Sequence, residues 1–218
     1  MATLKEIADD LYLKIRRRPE NDEEISTAQI KFNVKHWRAK LIRQSFQKNK
    51  ELEHQVIQDL GCVQLEKIDL AECCGISTGC EATRTVERLP QTIRLNIHTG
   101  YTFVGKVDKA TKIPLISPFE VELFEYRKYG KQQPAAFIID GYMYFINLGE
   151  QEIVNIRGVF EDPEDVKRFK TCDGDLCYDE STPFPIAIDM LDTISNGILK
   201  GTLIPLVRAE ADMENDRV

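Results

Sequence analysis

The residues of this chain best able to do chemistry are its six cysteines, Cys62, Cys73, Cys74, Cys80, Cys172 and Cys177, and its three histidines, His36, His54 and His98. Thiolates and imidazoles hold zinc when tight C-x-x-C knuckles or a histidine pair converge on one ion. Here Cys73 and Cys80 are seven apart and Cys172 and Cys177 five apart, so neither pair makes a knuckle. A four-thiolate site drawn from Cys73, Cys80, Cys172 and Cys177 is a weak metal candidate; free thiols are the default in a reducing cytosol, and later exposure to an oxidising environment can oxidise them. A thiol enzyme using Cys73 or Cys74, with His98 as base, would need a cysteine unusually reactive to alkylation at neutral pH. Nothing in the spacing brings those groups together. No H-x-x-x-H, H-E-x-x-H, G-x-G-x-x-G or G-x-x-x-x-G-K-[ST] pattern occurs, which excludes nucleotide binding and zinc hydrolysis by those routes, and none of the three histidines sits near a G-x-S-x-G elbow in the sequence. Asp173, Asp175, Asp179 and Glu180 miss the EF-hand offsets and read as a solvated loop. Neither a catalytic residue nor a cofactor is expected.

The most informative stretch is Ile25–Lys50, ISTAQIKFNVKHWRAKLIRQSFQKNK. It carries seven cations, Lys31, Lys35, Arg38, Lys40, Arg43, Lys48 and Lys50, and no acid. Ile30, Val34, Trp37 and Leu41 fall on one face of a helix capped by Ser26 or Thr27, leaving the other faces basic. The whole chain has a net charge of −7, so the residues outside this helix sum to −14. Such segregation of sign suits contact with copies of the same chain or with a complementary protein. A basic face that only keeps the helix soluble is the plainer alternative.

The elements around this helix follow from periodicity. Thr3–Arg18 reads as a short helix with a Thr3/Glu6 capping box and an apolar stripe of Leu4, Ile7, Leu11 and Ile15, packed antiparallel on the basic helix. From Gln55 the chain turns to short β-branched and aromatic runs: VIQDLGC, VQLEKIDL, TIRLNIH, YTFVGKV, PFEVELFEY, AAFIID, YMYFINL and EIVNIRGVF. Asp140-Gly141 between two of these is a type I′ hairpin signal. Asp162-Pro163 opens a short acidic helix. Pro185–Lys200 is the last helix, burying Ile188, Leu191, Ile194, Ile198 and Leu199, with Gly197 as a weak point and Gly201 as C-cap. Glu210, Asp212 and Glu214 lie in an acidic tail, a candidate partner for the basic helix of a neighbour. The expected fold is α+β: a helical hairpin over 1–50, an antiparallel β-rich domain over 51–160, a C-terminal helical segment over 161–207 and the tail over 208–218.

No apolar run approaches the ~18 residues of a membrane span, and MATLKEIADDLYLKI is too acidic for a signal peptide; no membrane partner is expected, and the chain reads as made and kept in a cytosol until assembly. Arg84, Arg88, Arg94 and the helix cations offer a path for non-specific contact with nucleic acid, against an acidic background.

TLKEIADDLYLKIRRRPENDEEIS, WRAKLIRQ, QDLGCVQLEKIDLAECCGISTGC with the following RT and LP, and PFPIAIDMLDTISNGILKG resemble the neck, or head-to-tail connector, ring proteins of short-tailed phages, in particular crAss-like phages. The most specific part is Gln58–Pro90, with Cys62, Cys73, Cys74, Cys80, Arg84 and Pro90. The resemblance implies a non-catalytic virion protein, assembled in the bacterial cytoplasm as a twelve-fold ring under the portal, that continues the DNA channel towards the tail. Its partners would be itself, the portal, adjacent neck or tail rings and, transiently, DNA. Lys31, Lys35, Arg38, Lys40 and Arg43, with Glu210, Asp212 and Glu214, are the candidate interface residues. The competing reading is a cytosolic phage accessory or regulatory module that binds zinc through the cysteine clusters.

Overall fold

The computed structural model describes residues 2–17, 25–69, 81–95, 99–124, 126 and 132–200. The chain divides into two compact units, Met1–Val56 with Glu180–Val218, and Ile57–Asp179.

The first unit is helical. Helix α1 (Leu4–Arg16) begins with the expected capping box: the Thr3 hydroxyl accepts the Glu6 N–H at 3.2 Å, and the Glu6 carboxylate accepts the Thr3 N–H at 2.9 Å. Its buried face is Leu4, Ile7, Ala8, Leu11 and Ile15, and Lys14 and Arg16 sit at the carbonyl end, where cations oppose the helix dipole favourably. Helix α2 (Thr27–Asn49) is capped by Ser26, whose hydroxyl accepts the Gln29 N–H, and stops at Lys50 in the left-handed region at φ 58°. At 23 residues it is about 35 Å long. α1 and α2 pack on each other.

The last helix of this unit, residues 188–200, starts three residues later than the periodicity suggests. Its buried stripe is Met190, Ile194 and Ile198, while Ile188 is 66% exposed. This corrects the expected face. Ile188 is two residues from Met190, about 200° around the helix, and so points the opposite way. Gly197 lies against the Trp37 ring, where a Cβ would come within 2.9 Å of ring carbons; the glycine is a packing requirement.

The second unit is a six-stranded antiparallel sheet. Its strands are β1 (Gln58–Asp69), β2 (Glu81–Thr85), β3 (Tyr101–Gly105), β4 (Ala135–Ile139), β5 (Tyr142–Ile146) and β6 (Ile153–Gly158), in the order β3-β6-β1-β2-β5-β4. Long β1 is the spine: its first half pairs with β6 and its second with β2. The β4–β5 hairpin turns on Asp140 at φ 51° and Gly141 at φ 83°, the left-handed pair of a type I′ turn.

An extended segment, 111–116, reaches both edges of the sheet. On the β3 side, Ile113 N–H donates to Val104 O at 2.7 Å. On the β4 side, Ala136 N–H donates to Pro114 O at 2.9 Å and Ile116 N–H to Ala136 O at 2.8 Å. One short segment thus draws the two edges together and makes the sheet a near-barrel around Leu60, Val63, Val104, Met143, Phe145, Val154, Ile156 and Phe160.

Two expected strands are not strands. PFEVELF forms a short helix, α3 (Pro118–Phe124), because Pro118 begins it and the Glu120 carboxylate accepts the Ser117 N–H at 3.0 Å, a start signal stronger than the alternation that follows. TIRLNIH forms isolated bridges rather than a strand over its described residues: Thr92 bridges Phe160, Ile93 N–H donates to Val159 O, and Leu95 is a second bridge residue; residues 96–98, with His98, lie outside the described residues. The expected acidic helix after Asp162 is a 3-10 turn, Pro163–Arg168, whose cap is the Asp162 carboxylate on the Glu164 N–H.

Candidate interaction surfaces

Successive residues of α2 are rotated by about 100°, so the buried set Ile30, Val34, Arg38 and Ile42 defines where each remaining cation lies. Lys40 and Arg43 are exposed on the side opposite that set, and Lys31 and Lys35 are half-buried along its flank. Phe32, 68% exposed, shares the outer side with His36, and their rings stack at 6.5 Å. The Lys40 ammonium lies 4.4 Å from the Trp37 ring centroid. The result is an aromatic pair among cations. Aromatic anchors ringed by polar groups are the composition of protein interfaces rather than of a merely solvated face. Charge counting alone missed Phe32. Its signal was the offset of two from both Ile30 and Val34, which places it outside the apolar stripe.

Arg38 departs from the expected set. Expected on the basic surface, it is fully buried, in the position the stripe offered to Trp37. Its Nε donates to Pro185 O at 2.7 Å, its NH2 group donates to Val56 O at 3.3 Å, and the guanidinium lies 5.7 Å from the Phe184 ring centroid. A buried guanidinium is tolerated only when its donors are satisfied, and these carbonyls do so. Arg38 therefore ties α2 to the chain before β1 and to the approach of the last helix, all within the helical unit. The tail acids Glu210, Asp212 and Glu214 lie outside the described residues.

The cysteines are also placed differently from expectation. Cys62 and Cys172 form a disulfide with Cα atoms 5.0 Å apart, spanning a sequence separation of 110. The local backbone causes this. Cys62 N–H donates to Lys170 O at 3.1 Å, and Lys170 bridges Leu176, which lays the 170–177 turn alongside β1. Cys172 is thereby removed from the candidate thiolate site, and the free-thiol expectation fails for this pair. Cys73, Cys74 and Cys80 lie outside the described residues. Among the described residues, no group of three His, Cys, Asp or Glu side chains is placed to hold a metal ion. Cys177 is free and half-buried; burial, followed by the charge of Asp59, pushes its thiol up to about 11. A thiol so protonated at neutral pH is a poor nucleophile.

Asp59 sets the register beside this disulfide. Its carboxylate accepts Gly61 N–H at 2.9 Å, Asn155 Nδ2 at 2.7 Å, Arg157 Nε at 2.9 Å and Lys109 Nζ at 3.1 Å. Burial opposes its ionisation, but the Gly61, Asn155 and Lys109 contacts outweigh that and hold its pKa below the ordinary value. These bonds fix the bulge between Asp59 and Cys62, where Gly61 at φ 67° packs so closely that a Cβ would meet Lys170 O at 2.5 Å.

Across the sheet, Arg84 pairs with Glu66 at 2.9 Å and stacks on Tyr142, and Arg88 covers the same ring while donating to Asp140 O. Both guanidiniums are engaged by protein groups, so they are weaker candidates for a phosphate track than their sequence suggests. No described helix is long and apolar enough to cross a membrane.

No curated protein matches the chain. A family model described as phage tail ring protein 2, of the crAss-like ring series, matches residues 6–217, nearly the whole length. A ring protein associates with copies of itself. The chain belongs to the phage tail ring protein 2 family of crAss-like phages, as a structural component of the phage tail.

Proposed function

We propose that this ring sits in the neck of the virion as a head-to-tail connector, twelve copies extending the portal's DNA channel towards the tail, with no catalytic activity and no cofactor. The observation that carries this reading is the outer face of α2, where Phe32 and His36 lie with the exposed Lys40 and Arg43, and Lys31 and Lys35 lie along the flank, in a chain otherwise net acidic. Apolar and aromatic burial between neighbours supplies most of the affinity, and opposite charges set the register. The tail acids Glu210, Asp212 and Glu214 are the partners offered by a neighbouring copy. Portal and adjacent rings abut the assembly above and below, and an acidic lining lets DNA pass during ejection without holding it. The disulfide makes a cytosolic zinc module the weaker reading, because it consumes Cys172.

Reversing Lys31, Lys35, Lys40 and Arg43 to Glu tests the contact. The variant is expected to remain a folded monomer by circular dichroism while its ring peak disappears in analytical ultracentrifugation. Wild-type rings should also loosen as salt rises. Unchanged ring formation by the reversed variant would overturn the assignment of this face.

A further inference from the structure

A ring of identical copies is closed by a heterologous contact, in which one patch of each copy meets a different patch of the next. The outer side of α2 cannot serve as both patches, because Lys40 and Arg43 would then face the same cations on the neighbour, an arrangement that repels. Its counterpart must be acidic, and concave enough to take the exposed Phe32 ring.

The sheet unit carries such a surface. β6 begins at Ile153, opposite Gln64, whereas β1 runs on to Asp69 with β2 as its partner strand. Where β6 stops, an open groove of about 700 Å³ lies beside β1, lined by Leu65, Glu66, Glu150, Gln151, Glu152 and Ile153. Ile153 is 40% exposed and Leu65 only partly covered, so an apolar strip runs among the carboxylates. Lys67 also lines the groove, one cation against three carboxylates. Glu66 is already paired with Arg84. Glu150 and Glu152 are exposed and meet no cation among the described residues. Gln151 Oε1 is buried with no hydrogen-bond donor among the described residues, an unmet acceptor that an incoming ammonium satisfies once the amide turns towards it.

We propose that this groove receives the outer side of α2 from the next copy in the ring, with Phe32 against Leu65 and Ile153 and with Lys40 and Arg43 paired to Glu150 and Glu152. This rests on the ring reading and names the surface that α2 meets. Phe32, His36 and Lys40 follow one another at one-turn intervals over about 12 Å of helix, close to the ~10 Å that residues 64–67 span along β1. The aromatic contact supplies affinity, and the ion pairs decide which patch meets which. The flank of α2, with Lys31 and Lys35, remains the side that meets the tail acids.

The test pairs two variants of the full chain, Lys40→Glu with Arg43→Glu, and Glu150→Lys with Glu152→Lys. Each alone sets like charges against each other at every contact and is expected to lose the ring peak in analytical ultracentrifugation, with unchanged circular dichroism. Mixed in equal amounts, the two should recover rings: the reversed helix of the first fits the reversed groove of the second, and the native helix of the second fits the native groove of the first. Rings formed by the groove variant alone, or no recovery in the mixture, would overturn the proposal. Where a reversal disturbs the fold, a cross-link decides by itself. Chains carrying benzoylphenylalanine in place of Phe32, in ¹⁴N- and ¹⁵N-labelled populations mixed before assembly, should link on irradiation to residues 64–67 or 150–153 with mixed isotopes. Links elsewhere, links within one isotope only, or no link would also overturn it. The two readings fail separately: rings lost on reversing α2 but kept on reversing the groove refute the groove alone, whereas rings kept on reversing α2 refute the helix contact and the groove with it.

Discussion

The two units stabilise their folds by opposite means. The helical unit places one fixed charge at its centre, Arg38, satisfied by carbonyl oxygens and the Phe184 ring. The sheet unit keeps its centre apolar and places its polar fixings around it: the Asp59 cluster, the Cys62–Cys172 bond and the 111–116 closure. A buried guanidinium is intolerant of change, because removing it strands its acceptors. Peripheral fixings act in parallel, so each can be lost at smaller cost. The helical unit should therefore fail abruptly at one residue and the sheet unit by degrees.

Arg38→Ala should have the largest effect, about 4 kcal/mol of lost stability in the helical unit, from orphaned carbonyls and the space left behind. Trp37, the single tryptophan, is on α2, so its fluorescence in urea titration reports this unit. A loss no greater than that of an exposed Lys40→Ala control would remove Arg38 from the centre of the account.

Cys172→Ser should cost the sheet unit about 3 kcal/mol, through the greater freedom of an uncrosslinked unfolded chain. Near-ultraviolet circular dichroism of the tyrosines during denaturation measures it. In the native wild type, Cys177 should resist alkylation at neutral pH and react as pH approaches about 11.

Gly197→Val should cost about 2 kcal/mol by forcing a side chain into the Trp37 ring, seen as an earlier fluorescence transition. Asp59 gives the smallest change. Its pKa is lowered in the folded state, so its contribution is present above the unfolded value near 4 and is lost as pH falls through and below it. Asp59→Asn should flatten the acid limb of the stability curve as pH falls through and below the ordinary carboxylate range. An unaltered limb would mean that other carboxylates set the acid response.

Local signals were legible where they completed themselves within a few residues. The Thr3/Glu6 box, the Ser26 cap and the Asp140-Gly141 turn each supply both partners within one short stretch, and the α+β class followed from them. Elements that depend on distant partners were not. β2, EATRT, has no apolar alternation and is a strand because β1 and β5 flank it, with Arg84 meeting Glu66 and the Thr85 hydroxyl accepting the Met143 N–H. PFEVELF misled because its alternation outlasts the Ser-Pro-x-Glu start signal in length but not in strength. Of the candidate interface, Lys40 and Arg43 are on the surface assigned to them. Arg38 is not, because a cation and an apolar residue at one stripe position differ only in which carbonyls the fold brings near.

The most direct test of the account is the copy number of this chain in purified virions, by quantitative mass spectrometry against the portal protein. A ratio of one to one, or another small whole number, is the expected result for a neck ring matched to the portal. Absence of the chain from particles, or a trace far below the portal, would contradict it.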